Sequence, residues 1–110
     1  MSWLLRDEDV LAVIEDRRKG WRDDLQGAVL LPAPAVLHTF ACAQALDAAW
    51  CTATRLNGGG PGYRVRKIHT LERNRCALPH LTPGVLLVAA GGAFERWKLQ
   101  PGDGLEVRQV

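Results

Sequence analysis

One aspartate stands alone in the middle of this chain. Residues 26–54 carry a single charge, Asp47, whereas residues 1–25 carry twelve. The chain has 110 residues, one domain's worth, and no internal repeat divides it. A domain of this size buries only about two thirds of its unfolded surface, so the charge-poor stretch has to supply much of the core. The charged first quarter then belongs at the surface, apart from its apolar positions. Burying a bare carboxylate costs several kcal/mol, on the order of a small domain's whole stability margin. Asp47 therefore needs partners.

Apolar runs elsewhere are short and bounded by glycine and proline, the pattern of a mainly β domain. Two readings of the start stay open. Trp3-Leu4-Leu5 and Val10–Ile14 form a hairpin across Asp7-Glu8-Asp9, or Val10, Leu11, Ile14, Trp21 and Leu25 line one helix from Asp7 to Leu25. On either reading Glu15–Asp24 is expected to be a short helix. The run Ala28–Leu31 is closed by Pro32 and Pro34, which mark an edge or a loop. Val36–Cys42 and Leu46–Thr54 read as two strands joined at Ala43-Gln44-Ala45. Asn57–Gly62 is a glycine-rich loop, and Pro61 is unsuited to a central ladder. Tyr63–Leu71 is a strand alternating Val65, Lys67 and His69 against Arg64, Arg66 and Ile68. Val85–Ala90 is a strand buried on both faces, Ala93–Leu99 a short helix, Pro101–Gly104 a turn, and Leu105–Val110 a half-exposed last strand.

Several classes are set aside by composition. With 47% hydrophobic and 24% charged residues the chain is not a disordered tail. No apolar run reaches the roughly 18 residues of a membrane span, and acid follows too soon after Met1 for a secretory signal. Cys42, Cys51 and Cys76 are odd in number and lack Cys-x-x-Cys spacing, so reduced thiols in a cytoplasmic protein are expected. A zinc site would have to draw on these with His38, His69 and His80, whose spacing fits no common ligand pattern; no metal or cofactor is expected. The glycine loop lacks the Gly-Lys-Ser/Thr ending of a phosphate cradle. Ser2 is the one serine, which excludes serine nucleophile chemistry. Arg64, Arg66, Lys67, Arg73 and Arg75 form a basic run beside Tyr63. A net charge of only +2 and thin aromatic interleaving argue against a nucleic-acid partner and for a solvated face.

The remaining candidate site is His38, Thr39, Asp47 and an arginine such as Arg17. His38 can carry a proton near neutral pH, Asp47 can orient it, and Arg17 can supply an anion-binding fork. The alternative is that Asp47 accepts backbone N–H groups at a strand start while His38 is a satisfied, half-buried side chain. In a hairpin of 36–42 with 46–52, a two-residue turn places Phe40 opposite Asp47 and His38 on the same face. A three-residue turn sends His38 to the other face.

His38-Thr39-Phe40 also carries a resemblance. Arg17-Arg18-Lys19-Gly20-Trp21 precedes it, with Gly27-Ala28-Val29-Leu30-Leu31. Leu46-Asp47, Val85–Val88, Ala90-Gly91, Ala93–Leu99 and Pro101-Gly102-Asp103 follow in order. In that order and spacing the chain resembles the bacterial and archaeal family known as domain of unknown function 192, from about Arg17 to Val107. It departs from the family at Cys42, usually Met, at Leu87, usually Glu, and in its longer 57–62 loop. The resemblance implies a single, mainly β domain over residues 1–110, a small β-sandwich or part-barrel with one or two short helices. It favours the N-terminal hairpin and implies no activity. The expectation is a cytoplasmic binding or accessory module. The alternative is a small enzyme acting on an anionic small molecule with His38 and Asp47 in a polar pocket.

Overall fold

The computed structural model describes residues 2–15, 27–32, 45–56, 60–72 and 84–109. Seven strands and one short helix are present among them. In chain order they are β1 (Ser2–Arg6), β2 (Asp9–Ile14), β3 (Ala28–Pro32), β4 (Leu46–Arg55), β5 (Pro61–Leu71), β6 (Val85–Ala90), α1 (Ala93–Trp97) and β7 (Gly104–Gln109). The strands close into a barrel in the order β1-β2-β3-β6-β4-β5-β7. The expected mainly β fold is thus present, as a barrel rather than a sandwich. No helix among the described residues is long and apolar enough to cross a membrane.

The N-terminal ambiguity resolves as a hairpin. Arg6 pairs with Asp9, so Asp7 and Glu8 alone make the turn, with φ of 51° and 72°. Positive φ at both central residues is the signature of a type I′ turn, whose twist matches the flanking strands. Leu4 pairs with Ala12 and Leu5 with Val10, leaving Leu11 as a bulge. Leu11 and Ala12 consequently both pack toward the interior, while Val10 and Val13 stay exposed.

Two apolar clusters follow from the pleat. One draws on every strand and on α1, including Leu4, Ala28, Ala49, Val65, Leu87, Phe94 and Leu105; it fills the barrel. The other lies on the opposite face of neighbouring strands: Val29, Leu46, Ala48, Trp50, Leu71, Leu86 and Val88. β4 from Leu46 to Cys51 and β6 from Leu86 to Ala89 are therefore buried on both sides. That double burial is why their sequences are continuous apolar runs rather than alternating ones.

Three expectations change. The hairpin of 36–42 with 46–52 is replaced: β6 pairs with β4 from Leu46 to Cys51, and β5 pairs with its other edge from Leu46 to Arg55. A strand has only two edges, so no third strand can pair along Leu46–Cys51. The glycine loop is shorter than Asn57–Gly62, because β5 already starts at Pro61, opposite Arg55. Proline is tolerated at that first position. Gly62 follows because a Cβ there would collide with the Leu56 side chain and the carbonyl oxygen of Leu105. Finally, the alternation along β5 breaks. Trp50 pairs with Lys67 and Cys51 with Val65, so Arg66 is a bulge residue. Val65 and Ile68 then share the interior, and Arg66, Lys67 and His69 are exposed. The expected helix at Glu15–Asp24 lies outside the described residues apart from Glu15, and the 36–42 strand lies wholly outside them.

The barrel has two narrow seams. β2 and β3 run parallel and share one pair, Ile14 with Ala28. β5 and β7 share two, Tyr63 with Leu105 and Arg64 with Gly104. Beyond the second seam the chain leaves the sheet, and α1 packs against the interior cluster through Ala93 and Phe94.

Candidate functional site

Asp47 is the single buried polar or charged residue among those described, at 3% exposure. It has the strand parity of Ala49 and Cys51, so it lies on the interior face, near the start of β4. Its cross-strand partner on β5 is Thr70, whose hydroxyl donates to Oδ1 at 2.8 Å. Oδ2 accepts the backbone N–H of Gly92 and of Phe94, both at 3.0 Å. Gly92 is the N-cap of α1, has φ 91° and offers no side chain of its own to cap the helix. Asp47 does this from a distant strand, with a charge of the sign that a helix N-terminus favours. Its carboxylate is thus satisfied mainly by backbone N–H groups.

The other end of α1 is held by Arg6, which the sequence did not single out. Its guanidinium donates to the carbonyls of Trp97 and Lys98 and pairs with Asp103 at 3.0 Å. Asp103 Oδ2 also accepts the Gln100 N–H at 2.9 Å, tying the turn after the helix to the same clamp.

Of the four expected site residues, only Asp47 falls among the described residues. His38, Thr39 and Arg17 lie outside them. In the basic run, Arg64 donates to the Gly102 carbonyl at 2.7 Å and Arg66 to the Thr52 hydroxyl at 2.9 Å. Lys67 is exposed, and Arg73 and Arg75 lie outside the described residues. Cys51 is buried in the barrel, and burial pushes its thiol up to about 12 from 9.0. That disfavours the thiolate a nucleophile or metal ligand needs. His69 is exposed, away from Cys51. Among the described residues no group of three or more His, Cys, Asp or Glu side chains is placed to hold a metal ion.

Two concavities lined by described residues are places where a ligand could sit. One, of about 330 Å³, is lined by charged side chains including Arg6, Asp7, Glu8, Arg64 and Glu106. Of its arginines, Arg6 is held by the Trp97 carbonyl and Asp103, and Arg64 donates one N–H to the Gly102 carbonyl. The other is an open groove of about 490 Å³ between β5 and α1. Asp47 on β4 and Ile68 and Thr70 on β5 line one side, and Phe94, Glu95, Lys98 and Leu99 the helix side. This groove lies where β5 has parted from β7, and its lining mixes apolar with polar and charged side chains. Sequence reasoning reached Asp47 through its isolation in an apolar stretch. It missed Thr70, whose relation to Asp47 depends on the β4–β5 register. No family model, curated protein or solved structure matches this chain.

Proposed function

We propose that this protein is a cytoplasmic binding or accessory module of the kind implied by its resemblance to the domain of unknown function 192 family, and that its ligand is held in the groove between β5 and α1. The observation that supports a binder over an enzyme is the state of Asp47. Both of its carboxylate oxygens accept hydrogen bonds, from Thr70, Gly92 and Phe94, and the group is almost fully buried. A general base must reach a substrate proton directly or through one water. Asp47 has three donors on its two oxygens and is almost fully buried, which leaves it little to offer a substrate proton. It serves instead to fix one wall of the groove relative to the other, which is the preorganisation a binding site requires. The test is a ligand screen by thermal shift, run on the wild type and on His38→Ala, with each hit mapped by amide chemical shifts. Hits should perturb Ile68, Thr70, Phe94 and Leu99 and be kept in His38→Ala. Hits that map elsewhere, or turnover of a hit that disappears in His38→Ala, would overturn this reading.

A further inference from the structure

We propose that the groove between β5 and α1 takes an extended peptide segment by strand addition, with apolar residues facing inward and acidic residues facing out. This rests on the reading of the groove as the binding site and names its ligand.

The first support is the seam. β5 pairs with β4 along its whole length, but on its other side only Tyr63 and Arg64 pair with β7. Val65 adds an N–H bond to the Asp103 carbonyl and accepts the Gly102 N–H. From Arg66 to Leu71 no described strand lies on that side, and Ile68 and Thr70 of this stretch line the groove. Backbone donors and acceptors along a strand edge are a template for another strand. At about 3.4 Å per residue, Arg66–Leu71 offers roughly 20 Å, room for about six residues of an added strand.

The second support is the pleat, which sets what such a strand must look like. Ile68 and Thr70 point into the groove, where Phe94 and Leu99 face them. An added strand's inward residues meet Ile68, Phe94 and Leu99, with Glu95, Lys98 and Gln100 along the helix side of the same groove. Its outward residues lie beside Lys67 and His69, which have the opposite parity and are exposed. Arg66, the bulge residue, turns the other way, to the Thr52 hydroxyl on β4, and is not part of this row. Among the described residues Lys67 and His69 have no acidic partner, so an outward carboxylate on the guest is complementary. The guest alternates apolar with acidic residues.

The experiment uses the full chain and a blocked eight-residue peptide of alternating valine and glutamate, followed by amide chemical shifts. The alternating valine–lysine peptide is the charge control. Two further versions carry N-methyl groups on one or the other alternate set of amides, because an added strand pairs through only one of its edges. The glutamate peptide should shift Ile68, Thr70, Phe94 and Leu99 and bind at least about tenfold more tightly than the lysine peptide. One N-methylated version should lose binding and the other keep it. Lys67→Glu with His69→Glu should reverse the charge preference; Lys67→Glu alone should weaken it if the double variant does not fold. Equal binding of both N-methylated versions, or a preference untouched by charge reversal, overturns strand addition. A silent glutamate peptide does so too, and means that Lys67 guards the edge against any strand. If small-molecule hits still perturb the groove in that case, the binding-module reading stands without this ligand. If nothing perturbs it, both fall.

Discussion

Arg6 and Asp47 hold opposite ends of the same helix. Asp47 accepts the N–H groups of Gly92 and Phe94 at the start of α1, and Arg6 donates to the carbonyls of Trp97 and Lys98 at its end. A helix of five residues leaves most of its backbone groups without an internal partner. Isolated, it would not form. Here one anion and one cation, each suited to its end of the helix dipole, make it a fixed wall of the groove.

Removing the anion should therefore cost stability. Asp47→Ala leaves two backbone N–H groups and the Thr70 hydroxyl without their acceptor, a loss of about 1–3 kcal/mol. For a domain of this length that lowers Tm by roughly 4 °C per kcal/mol. Asp47→Asn should cost less, because its carbonyl oxygen still accepts from Gly92 and Phe94. Thr70→Val should cost about 1 kcal/mol, the worth of one ordinary hydrogen bond. Thermal melts of the three variants check the order. An Asp47→Ala protein that melts no lower than wild type would show that the carboxylate is not a clamp, and would revive a ligand role for it.

Arg6 predicts a different signature. Its pair with Asp103 is partly exposed, with side-chain exposures of 24% and 28%, so solvent screens much of it. A double-mutant cycle of Arg6→Ala and Asp103→Ala should give a coupling of about 0.5–1 kcal/mol that shrinks in high salt. Arg6→Ala should cost more than this coupling, because the carbonyls of Trp97 and Lys98 also lose their donor. Denaturant melts at low and high salt measure both quantities. A coupling that does not change with salt would contradict the exposed-pair description.

Much of this architecture is legible in the residues, for reasons that differ by element. β6 is visible because Val85–Ala90 is apolar without interruption and ends at Gly91-Gly92, and β7 because Leu105, Val107 and their neighbours alternate. The lone charge at Asp47 marks a buried, partnered carboxylate. What the residues do not show is pairing. β4 takes its neighbours from β5 and β6, not from the preceding apolar run, because strand edges compete globally and no local signal at Leu46 records the winner. The Arg66 bulge is equally silent: it is a mismatch between β4 and β5, not a property of either. Asp47 therefore announces itself, while Thr70, Gly92 and Arg6 do not.

Cys51 should give the fold an alkaline limit. Its thiol titrates near 9.0 when unperturbed, and burial in the barrel pushes it to about 12. A folded-state value raised above the unfolded one means that the unfolded chain ionises first. Stability is whole below about pH 9 and falls between 9 and 12, by up to about 1.4 kcal/mol per pH unit from this group. Cys51→Ala removes the titrating group at the expense of a small cavity, about 1–2 kcal/mol. The variant should be less stable than wild type at pH 7, with the gap narrowing from pH 9 to pH 10.5. Denaturant melts across that range check it, since the other thiols, tyrosine and lysines are common to both proteins. A constant gap would mean that the Cys51 thiol ionises as readily in the fold as out of it.

The hairpin turn offers a gain in stability. Asp7 and Glu8 both sit at positive φ, where a side chain other than glycine is strained by about 1–2 kcal/mol, asparagine and aspartate somewhat less. Asn-Gly is the pair that this turn type prefers. Glu8→Gly should therefore stabilise, and Asp7→Asn with Glu8→Gly should add a little more, for a total of about 1–2 kcal/mol. Glu8 also pairs with Arg108 at 3.4 Å, but the two side chains are 78% and 45% exposed, and such a pair is worth little. Arg108 keeps Glu106, at 3.0 Å. Glycine is more flexible in the unfolded chain, which takes back part of the gain. The strain at Glu8 is the larger of these effects, so the sign is set by the backbone and not by the ion pair. Thermal melts should show Tm rising by several degrees for Glu8→Gly, with the same rise in low and high salt. A fall in Tm at low salt that vanishes at high salt would mean that the Glu8–Arg108 pair outweighs the strain.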